Sequence, residues 1–121
     1  MTTTQPKLPY KRGDVVLVLF PNSDLRTAKL RPALIVQADD LQTGLPQLIV
    51  AMITSNLTRA NHPSRVFIRR TTRIGHLSGL LADSIVMTDN LATILETEID
   101  RVIGAISMKI INQALRHTLH L

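Results

Sequence analysis

A chain of 121 residues is long enough for one domain with its own core, and 45% apolar residues is ordinary for a globular protein. Only Tyr10, Phe20 and Phe67 are aromatic and there is no cysteine, which excludes a row of base-stacking rings, a disulfide framework and a thiolate zinc site. The net charge of +5 favours a polyanionic partner, either nucleic acid or an acidic protein.

Residues 1–9 are polar and Thr-rich and read as a flexible lead-in, with one domain over 10–121. No secretory signal is found and cysteine is absent, so a reducing, cytoplasmic location is expected. The longest apolar runs, 15–20, 48–53 and 85–87, are too short to span a bilayer, so no membrane partner is expected.

Gly13-Asp14 opens a first strand over 15–20, and Pro21 closes it. A polar loop leads to Arg31-Pro32 and a second strand over 33–36, with Pro32 at its first position. Arg31 is thereby expected at the root of a buried strand, a rigid cation at the edge of the core that suits an anion. A polar connection containing Gly44 precedes a third strand over 48–53. Val66-Phe67-Ile68 is a short fourth strand, and Gly75 and Gly79 bracket a loop. Residues 84–88 and 91–95 read as two further strands, and 101–106 as a last one. Ser107 can cap a terminal helix with Met108, Ile111, Leu115 and Leu119 on one face, and Lys109, Asn112, Arg116 and His120 off it. Many short strands with one terminal helix suggest a small, curled β-barrel.

Charge is unevenly spread. No acidic residue lies between Asp40 and Asp83, and every base there is arginine: Arg59, Arg65, Arg69, Arg70 and Arg73. Arginine suits forked contacts with phosphate, although a solvated basic surface has the same composition.

Four stretches together resemble the PemK/MazF-like toxin family, the ribonuclease toxins of bacterial toxin–antitoxin pairs. They are Lys11-Arg12-Gly13-Asp14-Val15-Val16, the Arg-Pro-hydrophobic run Leu30-Arg31-Pro32-Ala33-Leu34-Ile35-Val36, Ile49-Val50-Ala51-Met52-Ile53-Thr54-Ser55, and Gly79-Leu80-Leu81-Ala82-Asp83-Ser84-Ile85-Val86 running on to Asp89-Asn90 and Thr93-Ile94. Arg101-Val102-Ile103-Gly104 and the helix complete the match, which spans about residues 10–119. The resemblance implies a mainly β fold, a small SH3-like β-barrel with a C-terminal α-helix, usually as a homodimer. It implies cleavage of single-stranded RNA, here mRNA, at short motifs without metal or other cofactor. It also implies a small cognate antitoxin whose acidic segment blocks the site.

By the same resemblance Arg31 matches the catalytic arginine and Thr54 the active-site threonine. From the residues alone, Arg31 could instead bridge backbone carbonyls and Thr54 could cap a turn. Ser55 and Asn56 are neighbouring polar donors. Arg26, Lys29, Arg59, Arg69 and Arg70 are the cations expected to contact RNA. Asp89 aligns with an aspartate that some members use as a general base, but the arginine two positions earlier in those members is Met87 here. Many members carry a Gly-rich loop with a glutamate about five residues before the arginine. Here that position is Arg26, the loop has no glycine, and Asp24 is the nearby carboxylate.

His62 and His76 fall in loop-like segments, and His117 and His120 on the helix. No carboxylate completes a metal site with the helical pair, so solvent-facing histidines and no metal are expected. Two other activities share the resemblance: a related branch of the fold poisons DNA gyrase by binding, and a degenerate relative would bind RNA without cutting.

Overall fold

The computed structural model describes residues 9–121, and the lead-in expected over 1–9 lies outside them apart from Pro9. Six strands and two helices follow in order: β1 (Asp14–Pro21), β2 (Ala28–Ile35), β3 (Gln47–Thr54), β4 (Arg65–Ile68), α1 (Arg73–Ser78), β5 (Ser84–Leu95), β6 (Ile99–Ala105) and α2 (Met108–Leu119). Single 3₁₀ turns lie at Leu57–Arg59 and Glu96–Glu98. The strands form one antiparallel sheet in the order β4-β5-β3-β2-β1-β6.

The mainly β class with a C-terminal helix is as expected. The sheet does not close by pairing, because β4 and β6 remain its edges. It nevertheless curls. Ile94 of β5 and Ile99 of β6 share one apolar cluster with Val16 and Val18 of β1, Ala33 and Ile35 of β2, and Val50 of β3. The other face of the sheet carries Val15, Leu34, Ala51, Ile53 and Val86, covered by Ile111 and Leu115 of α2. Successive residues of a strand point to opposite faces, so Val15 and Val16 serve different clusters. Burial on both faces explains why β1 and β3 read as continuous apolar runs rather than alternating ones.

Three sequence expectations are corrected. First, β2 begins at Ala28, so Pro32 lies inside the strand and Arg31 is mid-strand rather than at its root, facing Val18 across the β1 pair. Proline is tolerated there because β3 pairs with β2 only from Ala33 onward, so the strand is an open edge at this point. Second, Gly75 and Gly79 do not bracket a loop but belong to α1. The Thr72 hydroxyl accepts from the Gly75 N–H at 3.1 Å, and Gly79 caps the C-terminus in the left-handed conformation. Third, the two strands expected over 84–88 and 91–95 are one. In β5, Met87 faces Met52 and Leu91 faces Ala51, so Thr88, Asp89 and Asn90 bulge out of the ladder. The Thr88 hydroxyl holds the bulge by donating to the Ser64 carbonyl at 2.6 Å, and it lies 2.7 Å from the Thr118 hydroxyl of α2.

The terminal helix starts at Ser107, whose hydroxyl accepts from Lys109 N–H. Ile111, Ala114 and Leu115 are buried, while Leu119, expected on the same face, is exposed at the last turn. Arg12 ties the helix to the sheet: its Nε donates to the Val36 carbonyl at 2.9 Å and its Nη2 to Asn112 Oδ1 at 2.7 Å.

The α1 segment meets β6 backbone to backbone. A Cβ on Gly79 would stand 2.0 Å from the Ile103 carbonyl oxygen, and one on Gly104 would stand 2.4 Å from the Leu77 carbonyl oxygen. Gly79 also has φ +72°, which side chains other than glycine adopt at a cost. Gly79→Ala is therefore expected to destabilise the fold by about 2–4 kcal/mol, from the left-handed conformation and the clash together, in urea unfolding. Gly44→Ala, in an exposed loop, is expected to cost less.

Candidate active site

The uncovered first half of β2 forms one wall of an open cleft of about 430 Å³. Lys29 and Arg31 enter it from β2, Thr54 and Ser55 from the end of β3, and Arg101 from β6. Leu80 and Leu81, following the tight turn at Gly79, make the opposite rim. Arg31 is exposed and Thr54 half-buried. The Thr54 hydroxyl accepts from the Asn56 N–H at 3.1 Å, which leaves its own proton to donate outward. No carboxylate or imidazole lines the cleft among the described residues. It offers cations and hydroxyls, the chemistry that holds an anion.

The remaining candidates lie elsewhere. Asp24 and Arg26 sit in the six-residue turn between β1 and β2. Asp24 organises that turn, accepting from the N–H groups of Arg26 at 2.9 Å and Thr27 at 3.1 Å. Those bonds hold its carboxyl below the ordinary carboxylate range. With no glycine in the turn, Leu25 takes the left-handed conformation, φ 59°. The Asn56 side chain caps the 3₁₀ turn by accepting from Thr58 N–H at 3.2 Å. Arg59 ends that turn and is exposed. The Arg69 guanidinium lies over the Phe67 ring at 5.6 Å. Arg70 lines a separate hollow beside α1. A third hollow, of about 360 Å³ between Tyr10, Arg12, Asp40 and Glu96, contains none of the candidates. It is acidic on one wall, which is wrong for an anion.

Asp89 does not line the cleft. It projects from the β5 bulge into a bidentate pair with Arg65 of β4, at 2.9 Å from Nη2 and 3.4 Å from Nε. Arg65 Nη1 also donates to the Arg59 carbonyl at 3.2 Å. Met87, where some relatives carry arginine, is buried at 5% exposure, and the guanidinium near Asp89 comes from the neighbouring strand instead. His62 packs edge-on against His117 of α2, ring centroids 6.2 Å apart, and all four histidines are exposed.

The model of PemK-like, MazF-like toxins of type II toxin–antitoxin systems matches residues 11–119. This chain belongs to that family.

Endoribonuclease MazF6 of Mycobacterium tuberculosis is 36% identical over 107 residues, spanning 85% of this PemK/MazF-like chain and 90% of that protein. Endoribonuclease MazF2 of Mycobacterium bovis matches to the same extent. Among solved structures, an endoribonuclease in complex with its cognate antitoxin from a mycobacterial species superposes with a TM-score of 0.70 at 23% identity, covering 93% of this chain and 96% of that one. A MazE–MazF complex from Deinococcus radiodurans also gives 0.70, at 14% identity, covering 96% and 99%. At these identities the structural likeness speaks to the fold.

Arg101 was not a candidate from sequence. It reaches the cleft because β6 pairs with β1, bringing Arg101 opposite Leu17, another lining residue. Arg65 likewise could not be matched to Asp89 without the β4–β5 register.

The Arg65 hydrogen bond is the main cause that lowers the Asp89 pKa from its ordinary 3.8. A depressed carboxylate pKa contributes stability above the unfolded value and loses it as pH falls through the folded one. Asp89→Asn is expected to cost about 0.5–1 kcal/mol at neutral pH. The gap from wild type should narrow as unfolding is followed from pH 5 downward, through about 4, the unfolded carboxylate value.

Proposed function

We propose that this PemK/MazF-like chain is the toxin of a type II toxin–antitoxin pair and an endoribonuclease that cuts single-stranded messenger RNA in the cytoplasm, inhibiting translation and growth. One observation carries the reading: Arg31 and Thr54, distant in sequence, line one exposed cleft with Lys29 and Arg101. The names of the mycobacterial relatives point the same way.

The chemistry follows from that lining. The ribose 2′-oxygen attacks the adjacent phosphorus and the bond from phosphorus to the 5′-oxygen breaks. The 2′-hydroxyl loses a proton, the leaving 5′-oxygen gains one, and the products are a 2′,3′-cyclic phosphate and a 5′-hydroxyl. Charge builds on the phosphorane oxygens between these events. Arg31 is the catalytic cation for it, and the free proton of Thr54 is the hydrogen-bond donor. Lys29 and Arg101 hold the flanking backbone, and Ser55 adds a hydroxyl at the end of β3. Fixed cations in a preorganised cleft supply the charge neutralisation, so the reaction should run in EDTA.

Asp89, tied to Arg65 outside the cleft, is a weaker candidate for the base, and Asp24 is occupied by its turn. Arg26, Asn56, Arg59, Arg69 and Arg70 are outer contacts for RNA. A cognate antitoxin with an acidic segment would neutralise the same cations, and a second copy of the chain completes the working toxin.

Arg31→Ala is expected to lower cleavage by about 10²–10³-fold, and Thr54→Val by a smaller factor, with unfolding midpoints near wild type. Ends mapped by sequencing should carry cyclic phosphate and 5′-hydroxyl. Unimpaired cleavage by Arg31→Ala sinks the assignment. With no carboxylate or imidazole among the described residues of the cleft, the 2′-proton is left to hydroxide, and single-turnover cleavage should rise by about tenfold per pH unit between pH 6 and 8. A flat profile there would restore Asp89 as the base.

A further inference from the structure

The Arg31 cleft does not end at its rim. A second hollow, of about 520 Å³, lies on the far side of the same segment, and Gly79, Leu80 and Leu81 line both. Its other walls are Arg70, Thr71, Gly75 and His76.

The shared ridge is rigid. Gly79 is locked against the Ile103 carbonyl, and the side chain of Leu80 is buried in the core cluster. The Arg70 N–H donates to Asp83 Oδ1 at 2.7 Å, which clamps the two chain segments that border the hollow. From the top of this ridge Leu81 stands out into solvent at 90% exposure. No other described residue covers that side chain, and a leucine so placed gains nothing from water. The side chains of Arg70, Thr71 and His76 are exposed and make no hydrogen bond to other described residues. The hollow therefore offers a forked cation, a hydroxyl and an imidazole beside an apolar blade.

We propose that the hollow at Arg70 and His76 is a second nucleotide subsite for single-stranded RNA, continuous with the Arg31 cleft, and that Leu81 is the wedge between the two. The proposal rests on the ribonuclease reading of the first cleft. Arg70 takes a phosphate of the strand, and His76 and Thr71 face the edge of the base lodged beside them. Apolar side chains inserted between bases unstack neighbours and hold them apart. In a chain with almost no aromatic residues, an aliphatic wedge is the available means of splaying the strand. The nucleotide in the second hollow is then read apart from those at the cut, which makes Arg70, His76 and Leu81 determinants of sequence choice.

The test uses the full chain and a short RNA that end-mapping shows to be cut. Its 2′-O-methyl form cannot be cleaved and serves as the binding probe. Arg70→Gln with His76→Ala is expected to weaken probe binding about tenfold and to raise KM for the cut RNA with little change in kcat. Leu81→Ser should broaden the set of sequences cut. If the double variant and Leu81→Ser both bind and cut with wild-type affinity and sequence preference while Arg31→Ala loses cleavage, the subsite is wrong and the ribonuclease reading stands. If Arg31→Ala also leaves cleavage unchanged, the reading of the first cleft fails and the subsite falls with it. If Leu81→Ser instead changes the oligomeric state by light scattering, the ridge is a protein interface and the wedge is overturned.

Discussion

The placement of Arg31 depends on a missing donor. Pro32 has no N–H with which to continue a ladder, and β3 pairs with β2 only from Ala33. The second half of β2 is core, and its first half is a strand paired on one side, open on the other. A cation on that half is held by regular β1 pairing yet stays exposed. To grip an anion from solution, a cation needs rigid backbone beneath it and open access to solvent. Here the two conditions meet within four residues, Lys29 to Pro32.

The opposite rim of the cleft is built by glycine. The turn after α1 lies against β6 with no room for a Cβ at Gly79 or Gly104. This contact brings Leu80 into the core and leaves Leu81 outside it. It also sets the width of the cleft, since β6 carries Arg101 and Ile103 on the same side. The site is thus framed by two backbone constraints, a proline on one wall and paired glycines on the other. The charged residues are placed by them.

Much of the strand pattern was legible because aliphatic runs bounded by turn residues have few alternatives. The pairing of Arg31 with Thr54 came from family resemblance, and the cleft supports it by placing both on its lining. Other features were hidden for identifiable reasons. Residues 88–90 of β5 look like a turn because Thr, Asp and Asn favour turns, yet they form a bulge anchored by Thr88. The short α1 has a glycine at its centre and too few residues to show a period. Arg101 and Arg65 acquire their neighbours only through strand register, which no local pattern encodes. Leu25, at 81% exposure and in a left-handed conformation, shows a turn shaped without the glycine its geometry favours.

The open sheet bears on how the chain behaves in crowded solution. Its two edges, β4 and β6, present ladder groups that another strand could pair with. Both are guarded by charge. β4 starts at Arg65, locked to Asp89, and runs out into Arg69 and Arg70, while β6 carries the adjacent Asp100–Arg101 pair. An incoming strand would have to strip water from these groups before gaining its hydrogen bonds. The charged side chains along β4 and β6 therefore also oppose edge-to-edge pairing with another strand.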